Sequence, residues 1–122
     1  MENVFKLASK EQVGALQVLP SPWFNWERAR LIELASRHRL PDFYEFSNYV
    51  VDGGLMSYGP DINEMFRHAA SFVDRILKGS KPAEMPIERT TRFELAINLK
   101  TAAALGLNIP KSLLQRADRL VE

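Results

Sequence analysis

Apolar residues recur at spacings of three and four over residues 62–77, the longest periodic stretch in the chain. That spacing puts apolar side chains on one face of a helix. Asp61 just before this stretch and Glu64 in its first turn form a D-x-x-E arrangement that caps helix N-termini, and Gly79 stands where a helix-ending glycine is expected. We therefore predict a helix from Ile62 to Leu77. Its apolar face comprises Ile62, Met65, Phe66, Ala69, Ala70, Val73, Ile76 and Leu77.

Shorter patterns before this helix predict an alternation of helices and strands. Ser21 and Pro22 mark one helix start, because a hydroxyl residue followed by proline suits the N-cap and first helical positions. Gly53 and Gly54 are predicted to reverse the chain. The predicted elements are a helix over 2–12, a strand over 13–19, a helix from 22 to about 38, a strand over 41–46, a helical turn over 47–51 and a strand over 55–59.

After the long helix, one more strand and two more helices are predicted. Phe93, Leu95 and Ile97 alternate with polar or small residues, which indicates a strand over 93–99 with one buried face. The alanine-rich stretch 100–105 is predicted to be helical, and Pro110 to open a last amphipathic helix. That helix would bury Leu113, Leu114, Ala117, Leu120 and Val121.

Strands separated by helical segments are typical of a mostly parallel sheet. The predicted fold class is α/β: a three-layer, Rossmann-like, mostly parallel sheet with helices on both faces. The chain has 122 residues, 46% of them hydrophobic, which is enough to bury one core. We therefore expect a single domain over 1–122.

Charge and composition exclude several classes of function. The net charge is +1 with acidic and basic residues interspersed, so no strong field for nucleic acid is expected. The absence of cysteine excludes disulfides and thiolate chemistry. No stretch approaches the roughly 18 apolar residues of a membrane span, and the N-terminus lacks the pattern of a secretion signal.

Candidate ligand-binding residues follow the predicted strands, because open parallel sheets bind ligands beyond the carboxyl ends of their strands. Aromatic rings and hydroxyl groups there would suit a small organic solute. The candidates are Ser21, Trp23 and Phe24 after the first strand, Phe46, Ser47 and Tyr49 after the second, and Tyr58 and Asp61 after the third.

Each of these residues also has a structural alternative. Trp23 and Phe24 could staple a helix entry, and Tyr58 could fill the edge of the core. Ser21 and Asp61 could serve only as helix caps. Taken singly, each residue fits the structural role better than the binding role.

The sequence gives little support for catalysis, metal binding or a cofactor. None of Ser21, Ser47 and Ser57 lies in a nucleophile-elbow pattern or beside a histidine partner. His38 and His68 lack a second ligand at metal spacing. We expect a protein that is not an enzyme and holds no cofactor and no metal.

Several segments together resemble the substrate-binding proteins of ABC transporters, of the tryptophan/tyrosine type. The resemblance keeps its order and spacing along nearly the whole chain. The segments that carry it are 19–22, 40–46, 53–61, 69–79, 81–86, 93–102, 106–110 and 113–118.

This resemblance implies a fold similar to the type I periplasmic binding proteins, in which two α/β lobes close on a solute and deliver it to a membrane permease. The chain is similar to the second lobe and the C-terminal part, and the first lobe has no counterpart in it. The residues near 21–24 and 46–49 are then expected to face the cleft. A longer parent with a signal would act in the periplasm, whereas the chain as written would stay in the cytoplasm.

The sequence is compatible with three functions. The first is a solute-binding module of an ABC transporter, with a permease as partner. The second is a fragment of the same family that oligomerises without binding solute, since a missing lobe would expose apolar surface and a strand edge that favour a homodimer. The third, a small Rossmann-like enzyme, has the least support.

Overall fold

The computed structural model describes residues 1–122 and confirms the predicted α/β class. Its sheet has five strands, in the order β1-β2-β3-β4-β5. The strands are β1 (Leu16–Gln17), β2 (Asp42–Tyr44), β3 (Met56–Pro60), β4 (Phe93–Asn98) and β5 (Arg119–Val121). Neighbouring strands pair in parallel except β3 and β4, which are antiparallel, so the predicted mostly parallel sheet is confirmed.

Seven helices and one 3₁₀ turn accompany the sheet. The helices are α1 (Glu2–Lys10), α2 (Pro22–Trp26), α3 (Arg28–Arg37), α4 (Ser47–Val51), α5 (Ile62–Leu77), α6 (Leu99–Leu105) and α7 (Lys111–Leu114), and the 3₁₀ turn is Pro82–Glu84. The single helix predicted over 22–38 is wrong in one respect: it is interrupted at Glu27, whose ψ of 13° leaves the helical region.

The last predicted helix is also wrong, because α7 ends at Leu114 and residues 119–121 form β5. The apolar spacing there fits a helix, but tertiary pairing overrides it. The Asp118 amide donates to the Leu95 carbonyl at 2.9 Å, and the Leu95 amide donates to the Asp118 carboxylate at 2.8 Å. These two bonds align the chain with the edge of β4.

The largest core cluster lies between β1, β2 and the helices α1, α3 and α4. The heptad-like spacing of α3 turns four apolar side chains toward the sheet. Leu31, Ile32, Leu34 and Ala35 are accordingly buried. The cluster is completed by Phe5, Val18, Leu40, Tyr44 and Tyr49.

A buried carboxylate fixes the turn between α4 and β3. Asp42 accepts a hydrogen bond from the Tyr44 hydroxyl at 2.6 Å and another from the Leu55 amide at 2.7 Å. Both side chains are almost fully buried, so each bond satisfies a group that would otherwise be costly to desolvate. Burial raises the pKa of Asp42 above 3.8, although the bond from Tyr44 opposes that rise.

Residues at the start of α6 also form hydrogen bonds to the turn between α4 and β3. The Asn98 side-chain nitrogen, Nδ2, donates to the Val50 carbonyl, while the side-chain oxygen of Asn98 caps α6 by accepting from the Thr101 backbone amide. The Thr101 hydroxyl donates to the Gly53 carbonyl at 2.8 Å. Sheet, α4 and α6 are therefore held by one continuous polar network.

The helix α5 confirms its predicted bounds but stands apart from the core. Asp61 is its N-cap and accepts hydrogen bonds from the Asn63 and Glu64 amides. No residue of α5 is buried, and Phe66 and Leu77 are 70% and 82% exposed. Neither α5 nor any other helix is long and apolar enough to cross a bilayer.

We predict that Asp42→Asn changes how stability depends on pH. The folded chain holds the Asp42 proton more tightly than the unfolded chain, so ionisation of Asp42 lowers the free energy of unfolding as pH rises from about 4 through the raised pKa. The wild type should therefore lose stability relative to Asp42→Asn across that window. Urea unfolding from about pH 3 to about pH 8 measures this difference.

The same substitution removes one carboxylate acceptor and should cost about 1–3 kcal/mol near neutral pH. Asp74→Asn is the control, since Asp74 lies on the exposed surface of α5 and pairs only with Lys78. It should change stability little. A stability difference between wild type and Asp42→Asn that grows with pH would contradict the assignment.

Candidate functional site

A cavity of about 400 Å³ lies beyond the carboxyl ends of β1 and β2. We call it the carboxyl-end cavity. Its position agrees with the general location of ligand sites in parallel sheets, and its volume is in the range of small-molecule sites. The lining residues are Val18, Leu19, Pro20, Ser21, Pro22, Asn25, Tyr44, Glu45, Phe46, Tyr49 and Ile62.

Two strand-to-helix connections build the cavity. The Val18 amide donates to the Phe43 carbonyl at 3.0 Å, which carries the parallel pairing of β1 and β2 to the cavity edge. Beyond it, Ser21 is the N-cap residue of α2 in an extended conformation, yet its side chain makes no capping bond. The Ser21 hydroxyl is therefore free to contact a ligand.

Aromatic rings form the inner wall. Tyr44 and Tyr49 are stacked, with ring centroids 4.5 Å apart and an interplanar angle of 17°. Burial raises the pKa of both phenols, with Arg28 opposing the rise at Tyr49, so both rings are uncharged near neutral pH. Tyr44 and Tyr49 are only 1% and 4% exposed, so the pair backs the cavity wall with neutral, apolar rings and presents little surface of its own.

Three of the eight predicted site residues line the carboxyl-end cavity, namely Ser21, Phe46 and Tyr49. Trp23 and Phe24 line an adjacent apolar groove of about 430 Å³, where their rings lie 5.3 Å apart. This groove and the cavity share Val18 and Leu19. The two aromatic residues are therefore neighbours of the cavity rather than part of its wall.

The other three predicted residues lie outside the cavity. Tyr58 is half-exposed, stacks on Phe93 and lines a smaller cavity of about 250 Å³. Asp61 is occupied as the cap of α5. Ser47 is the first residue of α4 and does not contribute to the cavity wall.

Glu45 was missed by the sequence analysis, although it lines both the carboxyl-end cavity and the smaller cavity beside Tyr58. Its main chain is pressed against β3: a Cβ atom on Gly59 would lie 2.2 Å from the Glu45 carbonyl oxygen. Only glycine permits this approach. Gly59 thereby fixes where the Glu45 side chain leaves the backbone.

A larger cavity, of about 560 Å³, lies at the opposite end of β2. Two of its charged side chains already have partners within the protein: Asp42 accepts from the Leu55 amide, and Asp52 pairs with Arg28. Arg39, at a φ of 53°, reaches the Ala104 carbonyl at the end of α6. We therefore take the carboxyl-end cavity as the candidate site.

The chain contains no group of three or more histidine, aspartate or glutamate side chains that could hold a metal ion. His38 bonds to the Ser9 hydroxyl at 2.8 Å, and His68 lies 3.3 Å from the Glu88 carboxylate. Neither histidine lines the carboxyl-end cavity, so its polar side-chain groups are hydroxyl, amide and carboxylate groups.

Comparison with known protein families identifies the family of this chain. The sequence profile described as ABC transporter substrate binding protein matches residues 10–121. The chain belongs to this family. Among curated protein sequences, none matches this chain.

Three solved structures of similar fold, each from a bacterium, illustrate the likeness. A conserved domain protein from Vibrio cholerae is 24% identical, with a TM-score of 0.87, and an ABC domain in complex with L-Trp from Streptococcus pneumoniae is 23% identical, with a TM-score of 0.89. The ligand-free, open structure of a substrate-binding protein with adhesive properties from Clostridium difficile is 18% identical, with a TM-score of 0.65.

In each comparison the match includes nearly all of this chain but only part of the other protein. The first two cover 98% of this chain and 40% of the other, and the third covers 99% and 41%. At these identities the likeness concerns the fold. The family member described here therefore spans about 40% of the length of these structures.

We predict that Gly59→Ala loses about 1–3 kcal/mol of stability, because the new methyl group must push Glu45 away from β3. Urea unfolding measures the loss. Gly14→Ala is the matched control: nothing lies within 4 Å of a Cβ atom there, and it should be neutral or slightly stabilising. Equal stability of the two variants would show that the close approach is not a constraint.

Proposed function

We propose that this chain is a solute-binding module of an ABC transporter substrate-binding protein and takes a small organic solute such as an amino acid. The observation that carries this proposal is the carboxyl-end cavity, with a stacked pair of tyrosines on one side and a free serine hydroxyl on another. Apolar walls with a few polar groups are typical of small-molecule sites.

The solute class is supported by one related fold. The Streptococcus pneumoniae domain was solved with L-Trp, whose flat ring is the kind of group that the aromatic wall would accept. Ser21, Phe46 and Tyr49 would contact the solute directly. Trp23 and Phe24 would extend the aromatic surface along the adjoining groove, and Tyr58 would flank it from the side of β3.

The proposed role is binding and delivery rather than chemistry. The Ser21 hydroxyl has no histidine beside it in the cavity, and the buried oxygen of Glu45 makes no hydrogen bond to it, so no nucleophile is paired with a base. A membrane permease is the partner that the family implies, and the work would take place outside the cytoplasmic membrane. Ser47 and Asp61 would act indirectly, Ser47 at the start of α4 and Asp61 as the cap of α5.

We predict that L-tryptophan binds the chain saturably in isothermal titration calorimetry and that Trp23→Ala weakens this binding about threefold to tenfold, the cost of losing one aromatic contact. Trp26→Ala is the matched control. It removes the same side chain from the same helix, but Trp26 is 85% exposed and lines neither the cavity nor the groove.

Equal weakening by both variants would mean that Trp23 acts through the stability of α2 rather than through the solute. Absence of saturable binding to the wild type, for L-tryptophan and for a panel of other amino acids, would reject the solute-binding module. In that case the second candidate function becomes the better one.

The second candidate is an oligomerising family member that binds no solute, with a homodimer as its assembled state. The observation in its favour is the apolar face of α5, which is exposed along the whole helix. Exposed apolar patches of this kind favour association. The connector after α5 adds Ile87, which is 95% exposed.

We predict that Phe66→Glu shifts the chain toward monomer in native mass spectrometry over a concentration series, because a charge would have to be buried in the interface. Ser71→Glu is the matched control. It adds the same charge on the opposite side of α5, five residues further along the helix. A wild-type chain that stays monomeric at every concentration would reject the homodimer.

A further inference from the structure

One oxygen of the Glu45 carboxylate is buried and has no hydrogen-bond donor inside the protein. Only two buried side-chain polar atoms of the chain lack a hydrogen-bond partner, and one of them is Glu45 Oε2. The other, the Ser57 hydroxyl, lies within the sheet and outside the carboxyl-end cavity. Glu45 alone combines an unsatisfied buried acceptor with a place in the candidate site.

Two other carboxylates at the sheet, Asp42 and Asp118, are satisfied by the fold. Asp42 accepts from Tyr44 and Leu55, and Asp118 accepts from the Leu95 amide. Glu45 takes part in no ion pair with any basic side chain. A buried acceptor oxygen without a donor costs stability, and a bound ligand or an ordered water can supply that donor.

The surroundings of Glu45 hold it where a solute can reach it. The close packing against Gly59 fixes its backbone, and Glu45 lines both the carboxyl-end cavity and the smaller cavity beside Tyr58. Phe46 and Tyr49 line the carboxyl-end cavity as well. Aromatic faces attract cations, as a carboxylate does.

We propose that Glu45 recognises a positively charged nitrogen of the solute, a primary ammonium group, and so restricts the site to solutes that carry one. This inference rests on the proposed solute-binding function and adds the residue that selects the solute. The ammonium would donate to the Glu45 carboxylate, with the flat part of the solute against the aromatic wall. Charge-assisted bonds of this kind are about twice as strong as neutral ones.

The test uses three probes that share an indole ring: L-tryptophan, tryptamine, which keeps only the ammonium, and indole-3-propionate, which keeps only the carboxylate. Calorimetry with wild type and Glu45→Gln compares their affinities. Glu45→Gln should weaken tryptamine and L-tryptophan about tenfold or more, the cost of a charged hydrogen bond, and leave indole-3-propionate unchanged or tighter.

Glu33→Gln is the matched control, because Glu33 is exposed on α3 and pairs only with Arg37. It should leave all three affinities unchanged. If tryptamine binds wild type and Glu45→Gln equally well, the role of Glu45 is overturned while the solute-binding function stands. If none of the three probes and no other ammonium-bearing amino acid binds the wild type, the function and the inference fail together.

The stability of the empty protein gives an independent readout. A glutamate retained for ligand recognition lowers the stability of the protein when no ligand is bound. Unliganded Glu45→Gln should therefore unfold at the same urea concentration as wild type or at a higher one. A carboxylate needed for folding would give the opposite result. A clear loss of stability in the unliganded variant would therefore overturn the proposal, whatever the affinities.

Discussion

The fold depends on one buried carboxylate. Asp42 is the first residue of β2, and both of its carboxylate oxygens accept hydrogen bonds within the chain. One accepts from the Tyr44 hydroxyl and the other from the Leu55 amide. The first bond fixes the Tyr44 ring against Tyr49, and the second fixes the turn that enters β3. That turn is so close to the ring that a Cβ atom on Gly54 would lie 2.5 Å from it. The aromatic wall of the cavity is thus set by a hydrogen bond at the other end of the strand.

Local signals in the sequence predict the elements whose ends are marked by capping residues. The bounds of α5 follow from Asp61 and a periodic apolar face, and those signals need no tertiary partner. The strand β5 could not be predicted this way, because the apolar residues near Leu120 fit helical spacing equally well. Only pairing with β4, anchored by Asp118 and Leu95, selects the extended form. Sequence periodicity carries no information about such a distant edge.

The site was predicted in the same uneven manner. The rule that ligands lie beyond the carboxyl ends of strands identifies Ser21, Phe46 and Tyr49 as neighbours, which the structure brings to one cavity. The rule fails for Glu45 because the predicted strand ran through residue 46, whereas β2 ends at Tyr44. An error of two residues at the end of the predicted strand therefore excludes Glu45 from the candidates, although it is the cavity residue with an unpaired buried oxygen. Strand ends are set by backbone pairing with neighbours, and single-sequence patterns do not specify them closely.

The cavity and the exposed helix are physically connected. Ile62 is the first residue of α5 and also lines the carboxyl-end cavity, so whatever packs on the apolar face of α5 also acts on one wall of the site. No other residue of α5 lines the cavity, so a partner on that apolar face meets the site only where the helix begins. Any effect of association on solute binding would have to pass through Ile62, and it would be reciprocal by thermodynamic necessity.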